Sequence, residues 1–62
     1  MTLTQAIKKA RHIRSILMLK NRDFTTFCAR HGRKNTERVR VKLLWQLENL
    51  RSEAREQWQV SI

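Results

Sequence analysis

TERVRVKLLWQLENLRSEAREQW, residues 36–58, carries the longest helical pattern in the chain. Val39, Leu43, Leu47, Leu50 and Ala54 recur at steps of three and four, so they share one face of a continuous helix. Val41, Leu44 and Trp45 fall off that line. A helix with a single core-facing stripe needs only the first set, and the second set requires another surface to cover it. In a chain of 62 residues the expected cover is a second copy of the same protein.

Length sharpens that expectation. A domain of this size buries only about 60% of its unfolded surface, and small proteins compensate with disulfides, a metal or oligomerisation. Cys28 is the single cysteine, which rules out an intrachain disulfide and points to a reducing, cytoplasmic setting. It reads as a small buried hydrophobe. With no proline and only Gly32 as a glycine, the chain favours long elements over many short ones. No apolar run approaches the roughly eighteen residues of a membrane span, and the opening MTLTQAIKKAR lacks a signal-peptide core. Residues 1–62 therefore read as one small helical dimerisation domain with no membrane association.

The charge is unevenly distributed. Residues 1–22 carry +6 with no acid, residues 23–42 carry +4, and the remainder carries −1, within a total of +9. The resulting positive field suits an anionic partner, either nucleic acid or an acidic protein surface.

At the start of the chain, Thr2 and Gln5 fit a capping box. Leu3, Ala6, Ile7, Ala10, Ile13 and Leu17 then share one face, while Lys8, Lys9, Arg11 and Arg14 lie largely away from it. Ile16, Met18 and Leu19 widen the stripe. Asn21, Arg22 and Asp23 interrupt the pattern, and the next segment has two readings. Phe24, Phe27 and Cys28 stand at helical spacing, with Asp23 as N-cap and Gly32 as stop. DFTTFC is also rich in aromatic and β-branched residues, a composition that favours a short strand able to pair across a dimer axis. QWQVSI, residues 57–62, is a second strand candidate. The fold expectation is mostly α, with helices over about 2–20 and 35–57 plus one short strand per chain, in an intertwined homodimer.

Leu3, Ile7, Ile13, Leu17, Phe24, Phe27, Leu43, Leu47 and Leu50 are the expected core and dimer residues. Val41, Leu44, Trp45 and Trp58 are the expected partner anchors, since large amphipathic rings dominate interface energetics. A helical reading of residues 24–31 would produce a helix-turn-helix resemblance, with a turn at Gly32 and a second helix from about Asn35. Arg30, Arg33, Lys34, Arg38 and Arg40 would then be candidate nucleic-acid contacts. Against that reading, Arg33 and Lys34 stand where such a turn places an apolar plug, and the second helix is long.

Catalytic chemistry finds little footing. Cys28 and His31 supply two zinc-compatible ligands and no more, and there is no glycine-rich phosphate loop and no nucleophile with a base beside it. No enzyme activity, cofactor or metal is expected. Glu48 with Arg51, and Glu53 with Gln57, read as exposed helix pairs.

The opening TLTQAIKKARHIRSILMLKNRDF, the centre FTTFCARHG and the helix LLWQLENL resemble the small early proteins that lambdoid temperate phages encode between their exonuclease and excisionase genes. The resemblance spans nearly the whole chain and rests on overall likeness. It implies a non-enzymatic protein made early in infection in the host bacterial cytoplasm, one that favours lytic development. It also implies a dimer in which two helices and one strand per chain meet the partner copy. No catalytic or ligand-binding residues come with it. The function expected on these grounds is a homodimeric regulator that engages a host protein through an apolar cleft and a basic surface. A helix-turn-helix-like DNA-binding regulator is the alternative.

Overall fold

The computed structural model describes all 62 residues and contains three helices. The first, α1, runs Leu3–Leu17. Its start is fixed by a reciprocal capping box: the Thr2 N–H donates to Gln5 Oε1 at 3.0 Å and the Gln5 N–H donates to Thr2 Oγ1 at 3.2 Å. Two of the orphan donors of the first turn are thereby satisfied. After a turn over residues 18–20 in which Met18 and Leu19 are exposed, α2 runs Asn21–Arg30. The third helix, α3, runs Glu37–Trp58.

The short strand expected over DFTTFC is not formed; those residues lie inside α2. In a strand, successive side chains alternate, so Phe24 and Phe27 would point to opposite faces. As a helix, Phe24, Phe27 and Cys28 fall on one face and all three pack toward Ile16. The β-branched threonines are accommodated by back-bonding: Thr25 Oγ1 donates to the Asn21 carbonyl at 2.9 Å and Thr26 Oγ1 to that of Arg22 at 3.2 Å. Asp23 is not the N-cap but lies in the first turn, where its charge complements the helix dipole.

Gly32 ends α2 as expected. At φ 66° it allows the Gly32 N–H to reach the Ala29 carbonyl at 3.1 Å and the Arg33 N–H to reach that of Cys28 at 2.8 Å. This is the paired closure of a Schellman motif, which a left-handed residue makes possible. The second strand candidate is also not a strand. Gln57 and Trp58 belong to α3, and Gln59 terminates it in the left-handed region at φ 55°. The last residues fold back over the helices: Ile62 packs against the main core and its carbonyl accepts from the Arg14 guanidinium.

The core sits between α1 and α3, which run antiparallel. Ala6, Ala10 and Ile13 meet Leu47 and Leu50, whereas Ile16 at the far end of α1 joins a second cluster with Phe24 and Cys28, flanked by Val39 and Leu43. Among the expected core residues, Ile13, Phe24, Leu47 and Leu50 are buried, and Leu3, Ile7, Leu17, Phe27 and Leu43 are half-buried. Ala6, Ala10 and Ala54 are almost fully enclosed. Small side chains at the contact allow two helices to approach closely.

Only nine residues are buried, and the outline measures 36 × 18 × 18 Å. The chain exposes 5163 Å², whereas a compact monomer of 7.5 kDa would expose about 4,200 Å². The mostly helical expectation holds, with α1 and α3 within a few residues of their expected bounds.

The left-handed conformation at Gln59 strains a residue with a Cβ. Gln59→Gly should stabilise the fold by about 0.5–1 kcal/mol, read as a rise of ~2–8 °C in the thermal midpoint followed by circular dichroism.

Candidate functional site

A groove of about 190 Å³ lies between the end of α2 and the first half of α3. Its apolar lining comes from Phe27, Val39 and Leu43, and its polar margin from His31, Arg33, Lys42 and Gln46. The spacing explains the assembly. Phe27 and His31 are one turn apart on α2, and their rings pack with centroids at 4.5 Å. On α3, Val39 with Leu43 and Lys42 with Gln46 form two adjacent rows of the same surface. The left-handed turn at Gly32 redirects the chain and delivers Arg33 to the groove margin.

A polar clasp holds the two walls together. Asn35, in the connection, donates from Nδ2 to Asn21 Oδ1 at 2.9 Å and to Thr25 Oγ1 at 2.8 Å. Arg40, one turn into α3, donates to the same Asn21 Oδ1 at 3.0 Å and places its guanidinium carbon 4.7 Å from the Phe24 ring centroid. Asn21 thus receives both the connection and the third helix, and a cation–π contact closes the arrangement.

The clasp ties up one of the expected nucleic-acid contacts. Arg40 is engaged within the protein, while Arg30, Arg33, Lys34 and Arg38 project as exposed side chains. The acids do little to offset them. The ion pairs of the chain are Arg22 with Asp23 at 3.9 Å and Arg51 with Glu48 at 3.2 Å, both largely solvent-exposed. The basic margin of the groove therefore keeps its charge unpaired.

The expected partner anchors separate into two groups. Val41, Leu44 and Trp45 stand on the outer face of α3 at 44%, 48% and 71% exposure. Arg38 and Lys42 border this face. Trp58 instead is half-buried and packs against the α1–α3 core, so it serves the fold. Cys28 and His31 do not converge on a common point: the thiol is enclosed beside Ile16 and Phe24, and the imidazole lies outside against Phe27. No three histidine, cysteine or acidic side chains cluster as a metal site would require. No helix is long and apolar enough to cross a membrane.

The groove is only partly legible in the sequence. Phe27, Val39 and Leu43 have the spacing of core residues, and periodicity does not reveal that they stop short of full enclosure. Nothing in the spacing of Asn21, Asn35 and Arg40 signals that they meet. Replacing Asn35 with alanine removes a donor shared by α2 and the connection. Asn35→Ala should cost about 0.5–1.5 kcal/mol, measured as a lower urea midpoint with an unchanged slope.

The chain matches no protein-family model, no curated protein and no solved structure.

Proposed function

We propose that the protein is a non-enzymatic regulator that works as a homodimer and engages a host protein. The observation that carries this reading is the groove between α2 and α3, with an apolar lining of Phe27, Val39 and Leu43 beside Arg33 and Lys42. Such a surface suits an acidic amphipathic segment: an apolar side chain enters the lining and carboxylates meet the basic margin. The net charge of +9 favours encounter with a partner of opposite sign. The likeness to early proteins of lambdoid phages supplies the setting, namely early infection in the host bacterial cytoplasm and a bias toward lytic development. Occupying a host factor requires a fitted surface and no reacting group.

A second reading draws on a specific feature. Because α2 is helical, α2, the Gly32 turn and α3 have the order of a helix-turn-helix, with Arg33, Lys34 and Arg38 exposed around the start of α3. In a DNA-binding regulator of that kind, Arg40 would contribute little, since it is held by Asn21 and Phe24.

The double variant Arg33→Glu/Lys42→Glu tests the groove. Immobilised wild-type protein should retain a host protein from nuclease-treated bacterial lysate, and the double variant should lose at least tenfold of that signal. Equal retention by both, or none by wild type, would remove the groove as the working surface. Titration of labelled duplex DNA over a range of salt concentrations tests the second reading, for which binding must prefer a sequence and weaken steeply with salt.

A further inference from the structure

We propose that the outer face of α3 around Trp45 is a site for single-stranded nucleic acid, in which the indole stacks on an unpaired base while Arg38 and Lys42 hold the phosphates beside it. The site is independent of the groove and of a host protein bound there.

The first observation is the exposure of one aromatic ring out of four. Phe24 is buried, Phe27 and Trp58 are half-buried, and Trp45 stands 71% exposed. The second is what surrounds that ring. Arg38, Val41, Lys42 and Trp45 together line a shallow hollow of about 310 Å³. Arg38, Val41 and Trp45 follow one another at steps of three and four residues, and Lys42 lies three before Trp45, so the four share one side of the helix. Val41 adds an apolar surface beside the indole.

The third observation is charge. Neither Arg38 nor Lys42 has an acidic partner, since the ion pairs of the chain join Arg22 with Asp23 and Arg51 with Glu48. Glu37 stands just before Arg38, and Glu48 one turn past Trp45, where Arg51 holds it; neither lines the hollow. Two unpaired cations and an open aromatic face call for a ligand that offers negative charge and a flat π surface together. A single strand offers both at every nucleotide. A duplex keeps its base faces within the stack and leaves the indole without a partner. At about 1.5 Å per residue, Arg38 and Lys42 lie ~6 Å apart along the axis, a spacing comparable with that of successive phosphates on an extended strand. The net charge of +9 draws any polyanion toward the chain, and Trp45 is what distinguishes one whose bases are unpaired.

The test titrates wild type, Trp45→Phe, Trp45→Ala and Arg38→Gln into a labelled oligothymidylate of about 16 nucleotides, followed by anisotropy, with helicity checked by circular dichroism. Both altered positions are exposed, so each variant should keep its helical spectrum. Trp45→Ala should weaken binding roughly tenfold or more, whereas Trp45→Phe, which retains a stacking ring, should stay within about threefold of wild type. Arg38→Gln should weaken binding and lower the slope of log K against log salt by about 0.7, the loss of one phosphate contact on a single strand. Unlabelled oligothymidylate should quench the intrinsic emission of wild type and leave that of Trp45→Phe nearly unchanged, because the remaining Trp58 is packed against the core. A duplex of equal phosphate number should compete roughly tenfold less well. An oligouridylate of the same length distinguishes RNA from DNA as the source of the strand, and a preference for either supports the site. Lys42 also lines the groove and is left unaltered, so this outcome is separate from that of the groove. Binding that Trp45→Ala leaves unchanged, emission that the oligomer does not quench, or a duplex that competes equally overturns the site. So does a Trp45 emission that moves to the red when the free protein is diluted, since a second copy then covers the indole.

Discussion

The close approach of α1 and α3 through Ala6 and Ala10 is the contact on which the rest of the structure depends. Two small side chains, each almost fully enclosed, let the two helix backbones come near enough for Ile13, Leu47 and Leu50 to interdigitate. Since so few residues are buried, no second layer exists to compensate for a change at this seam. A larger side chain at either alanine would separate the helices and open the core along its length. The seam also sets the direction of α3, and hence which of its faces meets α1 and which is left outside.

Once α1 and α3 are antiparallel, the thirteen-residue segment from Met18 to Arg30 must carry the chain away from the end of one and back toward the start of the other. It does so as a helix because that form lets Phe24 and Cys28 find cover beside Ile16, Val39 and Leu43. The polar contacts of Asn21, Thr25, Asn35 and Arg40 then tie this helix to the connection and to α3. These groups are exposed or half-buried, so each bond contributes modestly and the set acts mainly on geometry. What it positions is the groove, whose walls belong to two helices that meet through Phe27, Val39 and Leu43. The basic margin is consequently set by the fold, although its charges are plain in the composition.

Charge is arranged differently along the two exposed faces. The groove margin is basic without an acidic counterpart. The outer face of α3 carries Arg38 on one side of its apolar strip and, on the other, Glu48 in an ion pair with Arg51.

The two long helices were determined by the sequence alone, because the step of three and four residues in Leu3–Leu17 and Glu37–Trp58 leaves one apolar stripe on each. The capping box at Thr2 and the stop at Gly32 were likewise legible, since each depends on chemistry within a few residues. So was the surplus of apolar side chains at Val41, Leu44 and Trp45. The tertiary structure decided the rest. The local composition of DFTTFC favours a strand, and it became helical because only that form puts Phe24, Phe27 and Cys28 on the face that Ile16 covers. Trp58 has the chemistry of an anchor for a partner and is drawn onto the core, while Arg40 has that of a phosphate contact and is drawn onto Phe24. In each case the deciding contact is made between helices, where periodicity and composition carry no information about which side chains will meet.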